Sequence, residues 1–195
     1  MALFRPTVKN PDDEETTNAH AYSSKANIEL LNLTYETKQK QTIAECFDGF
    51  QPNRTFKFFS DGAWSMHHLV QYFLEQTGPA DLTICTWTLT EEPARILLNL
   101  KELGLIKSLT CLFDYRIQDR SPKSFQLIES LADSIKLTKA HAKVAAIIND
   151  DFGVSIVGSA NFSRNRRIEA GTIFTSREAA LFDHKWINHY VNDTK

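Results

Sequence analysis

Cysteine is scarce in this sequence, and the three cysteines stand far apart. They are Cys46, Cys85 and Cys111. No two of them form a CxxC pair, and none has the Cys/His spacing that is typical of zinc ligands. Disulfide frameworks and structural zinc are therefore not expected. Two of the cysteines lie in apolar segments, so the three are predicted to be buried thiols that pack like small hydrophobic residues.

Long apolar segments are also missing. No run approaches the ~20 apolar residues that cross a bilayer, and residues 1–13 lack the apolar centre of a signal peptide. These absences favour a cytoplasmic protein. An excess of positive charge is missing as well, since the formal net charge is −2. Any polyanionic partner must then be held by a local group of cations and not by the whole surface.

The length of 195 residues suits a single domain. Residues 1–24 are polar, with few side chains to bury, and are predicted to form a mobile arm. Residues 25–54 contain apolar residues without one clear period, so helix and strand both remain open for this N-terminal extension. The main folded domain is predicted to span residues 55–195.

Strands and helices are predicted to alternate along this domain. Ser65 and Thr90 are typical N-cap residues, and Gly78 and Gly104 are typical of helix ends. The predicted strands cover residues 56–59, 82–87, 109–113, 141–148 and 154–158, and helices follow Ser65 and Thr90 and span 125–131 and 177–190. This alternation predicts an α/β fold, with a mixed sheet flanked by helices on both faces and an antiparallel hairpin at its end.

The hairpin carries a set of polar residues at its open end. Its two apolar strands flank the turn Asn149–Gly153. A period of two places His141 and Lys143 on one face, and likewise Ser159 and Asn161 on the returning strand. Residues near 142 then lie opposite residues near 160, so the four polar side chains are predicted to converge.

Such a set suits a phosphodiester substrate. Lysine and amide donors bind non-bridging oxygens and stabilise the charge that builds on five-coordinate phosphorus, while a histidine attacks phosphorus or protonates the leaving oxygen. This chemistry needs no metal ion or other cofactor. A lone H-x-K pair is common by chance and is usually structural, so the hairpin and the Gly-Ser-x-Asn segment carry the interpretation.

The motif His141-x-Lys143, followed by Gly158-Ser159-x-Asn161 and then Glu169, resembles the signature of the phospholipase D superfamily. The strand and helix pattern over residues 55–190 is similar to that fold as well. The resemblance implies that His141 is the nucleophile, forming a phosphohistidine, or the acid. It also implies that Lys143 and Asn161 bind phosphate, that Ser159 adds a hydrogen bond, and that Glu169 orients an imidazole.

The sequence has one H-x-K and no internal repeat, whereas a complete site of this family needs two histidines. Short members of the family pair two subunits about a two-fold axis, so the resemblance implies a homodimer. One position departs from the pattern. Ile148 stands where the family has an aspartate, and Asp150 lies two residues further, roughly 7 Å along a strand. Asp150 is a candidate substitute for it, and an inactive relative stays open.

Several cations flank the motif. They are Arg164, Arg166 and Arg167 after it, and Lys136 and Lys139 before it. We expect Arg164, Arg166, Arg167 and Lys139 to bind a nucleic-acid backbone, with a solvated basic loop as the alternative of equal weight.

Other segments have two interpretations each. His67 and His68 are adjacent on a helix and point about 100° apart, which makes joint metal binding unfavourable. Trp64 and Trp87 either stack on a base or, with more weight, pack in the core. Residues 114–116, Asp-Tyr-Arg, end a strand where α/β proteins often build sites. A surface ion pair is an equal alternative there.

The leading functional hypothesis is a metal-independent nuclease or related phosphodiesterase that acts on DNA or RNA as a dimer. A catalytically weakened nucleic-acid-binding or assembly module is the alternative, because of Ile148. A phospholipase is less favoured, since no interfacial amphipathic helix is evident.

Overall fold

Alternating strands and helices, as the sequence predicts, make up the computed structural model, which describes residues 32–34, 43–47, 49–164 and 166–193. The strands are β1 (Asn32–Thr34), β2 (Thr55–Asp61), β3 (Ala80–Thr86), β4 (Ile106–Asp114), β5 (Ser134–Thr138), β6 (Val144–Ile148), β7 (Gly153–Gly158) and β8 (Ile168–Phe174). The helices are α1 (Ile43–Phe47), α2 (Met66–Thr77), α3 (Glu91–Glu102), α4 (Ile117–Arg120), α5 (Pro122–Glu129) and α6 (Arg177–Asn192).

The eight described strands form one mixed sheet in the order β1-β2-β8-β7-β6-β3-β4-β5. The β3/β4, β4/β5 and β1/β2 pairs are parallel, and the central pairs from β2 to β3 through β8, β7 and β6 are antiparallel. The predicted α/β class and mixed sheet are confirmed.

Helices cover both faces of this sheet. Val154 and Ile156 of β7 point into the main core together with residues of α2 and α3. Ser155 points to the other face, where its hydroxyl donates to Asp183 of α6, as the alternation of side chains along a strand requires. A smaller cluster beneath α6 contains Cys85 and Ile187.

Part of the N-terminal extension belongs to this fold. α1 brings Phe47 into the core with no exposed surface, where its ring packs edge-on against Phe56 at 5.4 Å and against Trp64 at 6.2 Å. β1 extends the sheet beside β2. The predicted arm at residues 1–24 lies outside the described residues.

Two strands differ from what the sequence predicts. The strand predicted at 141–148 begins at Val144, and the strand β8 was not predicted. The middle of β8 consists of the small residues Ala170, Gly171 and Thr172, and it lies between β2 and β7. A Cβ added at Gly171 would lie 2.6 Å from the Val157 carbonyl oxygen and 2.7 Å from the ring of Phe58.

The prediction that the three cysteines are buried thiols is confirmed. Cys46, Cys85 and Cys111 are buried and form no disulfide. Among the helices of the described residues, none combines the length and hydropathy of a membrane span.

Candidate active site

The predicted site residues gather along one edge of the sheet. β3, β4 and β7 end at this edge, and β6 and β8 begin there. Val144, the first residue of β6, pairs with Cys85 of β3 and with Val157 of β7. Gly158 in turn pairs with Gly171 of β8. The segment before β6, the segment after β7 and the start of β8 therefore meet, at the kind of edge where α/β proteins place their sites.

Lys143 is the buried cation of this edge. It is 8% exposed, and its ammonium group donates to the carbonyl oxygen of His141 at 2.6 Å. The Gly158 N–H donates to the Lys143 carbonyl at 3.1 Å, which holds this backbone against the end of β7. Burial lowers the pKa of Lys143, while Cys85 and Glu169 act in the opposite direction. An ammonium group has three donors, so two remain for a ligand oxygen beside the bond to His141.

Ser159 and Glu169 form a side-chain pair between the end of β7 and the start of β8. The Ser159 hydroxyl donates to the Glu169 carboxylate, and the Ala170 N–H donates to the hydroxyl oxygen at 3.0 Å. Glu169 is 9% exposed, and a buried carboxylate is unfavourable unless it is paired. The pair therefore places a negative charge near Lys143 at a fixed position.

Asn161 lies on the same edge and contacts β3. The hydroxyl of the buried Thr86 donates to Asn161 Oδ1 at 3.3 Å. The N–H of Thr90 also donates to the carbonyl of the next residue, Phe162, at 2.9 Å, which fixes the loop after β7 beside the start of α3. With its Oδ1 used as an acceptor, Asn161 has its amide N–H groups to offer to a ligand.

His141 is exposed and stands in the segment before β6. The predicted alternation of His141 and Lys143 along a strand is wrong, because β6 begins at Val144. Two contacts determine its place instead. Its carbonyl accepts from Lys143, and its ring packs edge-on against Trp87 with centroids 5.8 Å apart.

Asp150 lies away from these residues. Ile148 ends β6 at the opposite edge of the sheet, where it pairs with Gly153, and Asp150 follows in the exposed turn. Asn149 organises that turn, since its Oδ1 accepts from the N–H groups of Asp151 at 3.1 Å and Phe152 at 2.7 Å. The structure therefore brings together His141, Lys143, Ser159, Asn161 and Glu169, and not Asp150.

The flanking cations occupy different places. Arg164 and Arg166 line a cavity of about 170 Å³ between the end of β2, the start of β8 and the starts of α2 and α3. Arg167 and Lys139 are exposed near the site edge. Lys136 instead donates to the carbonyl of Asp193 at 2.8 Å, beneath the end of α6.

His67, His68 and Glu92 carry metal-ligating atoms within 4.8 Å of one another. The two rings do not point apart as predicted, and their centroids lie 4.0 Å apart. The contacts of these three residues belong to the starts of helices α2 and α3. His68 Nδ1 accepts from the Ser65 N–H at 3.1 Å, and Arg164 lies 3.8 Å from the Glu92 carboxylate.

The sequence offered residues 114–116 as a site or an ion pair at this edge, and sequence reasoning missed Arg120. Asp114 ends β4 with 2% exposure, and it pairs with Arg116 and with Arg120, both of which lie over the ring of Trp87. The position of residues 114–116 at a strand end was the available signal. No sequence signal indicated Arg120, because it lies on α4, a four-residue helix with no cap or apolar pattern of its own.

Several solved structures have a fold similar to that of this chain. The chain is similar to Nuc from Salmonella typhimurium, a phospholipase D family member, with 12% identity, a TM-score of 0.53, and coverage of 71% of this chain and 93% of that one. It is also similar to polyphosphate kinase from Porphyromonas gingivalis, with 12% identity, a TM-score of 0.52 and coverage of 72% and 26%. The third is phosphatidylserine synthase from Haemophilus influenzae, with 16% identity, a TM-score of 0.50 and coverage of 73% and 39%.

By sequence, no model of a protein family and no curated protein matches the chain. At these identities the similarity concerns the fold.

Proposed function

We propose that this chain, which has the phospholipase D fold, is a phosphodiesterase that cuts nucleic acid without a metal ion. The observation that carries the proposal is the buried Lys143, held beside Glu169 at the edge where His141 is exposed. A buried cation with unused donors suits a bound oxyanion. The exposed imidazole is accessible to the phosphorus of a large substrate.

In the proposed reaction a neutral His141 attacks phosphorus, a P–N bond forms, and the P–O bond to the leaving nucleoside breaks. Lys143 and Asn161 donate to the non-bridging oxygens as phosphorus becomes five-coordinate. A protonated histidine gives its proton to the leaving oxygen, and then takes a proton from the water that hydrolyses the phosphohistidine. Glu169, held by Ser159, orients an imidazole.

The second histidine is proposed to come from another subunit. Among the described residues, no second histidine contacts His141: His67 and His68 lie at the start of α2, on the β2 side of this edge, and His184 and His189 lie on α6. A two-fold axis near His141 brings two such edges together, and each subunit then supplies one nucleophile or acid.

A catalytically weakened binding module is the second candidate, and one observation favours it. Ile148 replaces the family aspartate, and Asp150 sits beyond it in an exposed turn. The basic residues of the edge are independent of this substitution. They suit a nucleic-acid backbone in either case.

Cleavage of plasmid and of single-stranded DNA and RNA in EDTA tests the proposal. We expect cutting by the wild-type chain, and a decrease of about 10³-fold or more in His141→Asn, because the nucleophile is lost. His189→Asn, an exposed histidine of α6, is the matched control and should cut normally.

Two results would contradict the proposal of a metal-independent nuclease. If cutting requires a divalent ion, the metal-free mechanism is wrong. If wild type and His141→Asn bind DNA equally and neither cuts any substrate, the chain is a binding module.

A further inference from the structure

Two arginines near His141 are fixed by one buried carboxylate. Asp114 accepts from Arg116 Nε at 2.8 Å and from its Nη2 at 3.4 Å, and Arg120 Nη1 lies 3.8 Å away. These contacts, above all the hydrogen bond from Arg116, hold the pKa of Asp114 below its ordinary value. Asp114 therefore remains ionised and anchors the two guanidinium groups.

Trp87 links this group to His141. The guanidinium carbon of Arg120 lies 3.9 Å from the centroid of the Trp87 ring, and that of Arg116 lies 5.8 Å away. These are cation–π distances. Because Arg120 already covers one face of the ring, that face is not available to stack on a base.

The arginines retain the capacity to bind an anion. Their side chains are 45% and 32% exposed, and each guanidinium has five N–H donors, more than Asp114 accepts. The contacts to the shared Trp87 ring keep the Arg120 guanidinium within ~10 Å of the His141 ring centroid. Successive phosphates of a polynucleotide lie farther apart than their rise of about 3.4 Å along a duplex axis, so the one or two phosphates next to the reacting one fall in this range.

We propose that Arg116 and Arg120 form a phosphate-binding subsite for a polynucleotide strand on the β4 side of His141. This inference rests on the proposed function and names its substrate class. A pair of cations at some distance from the reacting phosphate can bind a substrate that has further phosphates along its chain. Arg164 and Arg166 lie towards β2 on the other side, so a strand that crosses the edge meets arginines on both sides of His141.

The test is the salt dependence of binding, which needs no cleavage. A 5′-fluorescein 20-nucleotide oligodeoxythymidine is titrated in EDTA with the wild type and with Arg116→Gln/Arg120→Gln, by fluorescence anisotropy. We expect the Kd at low salt to rise about tenfold or more, and the slope of log K against log salt to decrease by about 1.4, for two lost phosphate contacts. The matched control is Lys107→Gln/Arg177→Gln, an equal change of charge at the opposite edge, with the slope unchanged.

A further variant distinguishes a loss of phosphate binding from misfolding. The double variant leaves Asp114 buried without its cations, so Asp114→Asn is added to it, and the same decrease in slope is expected. An unchanged slope in both variants overturns the subsite even if the wild type cuts DNA. A decreased slope in a chain that never cuts supports the subsite and rejects the enzyme. If the variants lose binding to phosphatidylserine vesicles but not to the oligonucleotide, the polynucleotide assignment is wrong.

Discussion

Burial of single ionisable groups has consequences that the sequence does not show. His67 has no exposed surface, and its Nδ1 lies 3.0 Å from the Ser65 hydroxyl oxygen at the start of α2. Burial, aided by the neighbouring His68, lowers the pKa of His67 to about 3. In the unfolded chain the same imidazole titrates near 6.5, so the folded protein binds fewer protons between these two values.

The stability of the protein should therefore decrease as the pH falls from about 6.5 towards 3. Between pH 7 and pH 5 we expect His67 to contribute a loss of about 2 kcal/mol to the free energy of unfolding. Urea denaturation of the wild type and of His67→Gln at both pH values measures this contribution. The variant should lose less stability than the wild type on acidification. Equal losses would show that His67 is not the group responsible.

One helix is attached to the sheet by a polar contact as well as by apolar packing. Asp183 of α6 accepts from the Ser155 hydroxyl of β7 and, at 2.8 Å, from the indole N–H of Trp186. It is 7% exposed, and burial raises its pKa. These hydrogen bonds fix the position of α6 on β7. Ile187 of α6 also packs in one buried cluster with Cys85 and Val144, which lie where β3 ends and β6 begins.

Truncation of this side chain should destabilise the fold. Asp183→Ala leaves the hydroxyl of Ser155 and the indole N–H of Trp186 buried without an acceptor, so we expect a loss of about 2 to 4 kcal/mol. Asp183→Asn preserves the shape and an acceptor, and should lose about 1 kcal/mol or less. Urea denaturation measures both. A loss as large in the asparagine variant would mean that the charge, and not hydrogen bonding, is what matters.

At the scale of the whole molecule, the proposed site is divided between two subunits. Light scattering at micromolar concentration should give twice the chain mass of 22.2 kDa. When wild type and His141→Asn are unfolded, mixed equally and refolded together, random pairing leaves about a quarter of the dimers with both histidines.

Nuclease activity of this mixture should then be about a quarter of that of wild type at the same total concentration. Independent subunits would retain about half, and a monomer with full activity would reject the shared site. The mixture therefore distinguishes a shared site from a self-sufficient one without knowledge of the interface.

The sequence by itself determined the α/β class, most element positions and the residue types of the motif. Local patterns decide these features, because caps, glycines and apolar periods act within one segment. Ser65 and Thr90 precede helices as predicted. The segments at 56–59 and 109–113 lie in β2 and β4, and the segment at 82–87 extends one residue beyond the end of β3.

The tertiary structure alone decided what depends on distant segments. β8 is a strand because β2 and β7 supply its partners, and only this pairing places Glu169 beside Ser159. His141 is positioned by Lys143 and Trp87, not by strand alternation. Asp114 became the anchor of Arg120 because burial at the end of β4 requires a paired charge. These contacts join residues far apart in the chain, or in segments without a periodic pattern, and so no local signal specifies them.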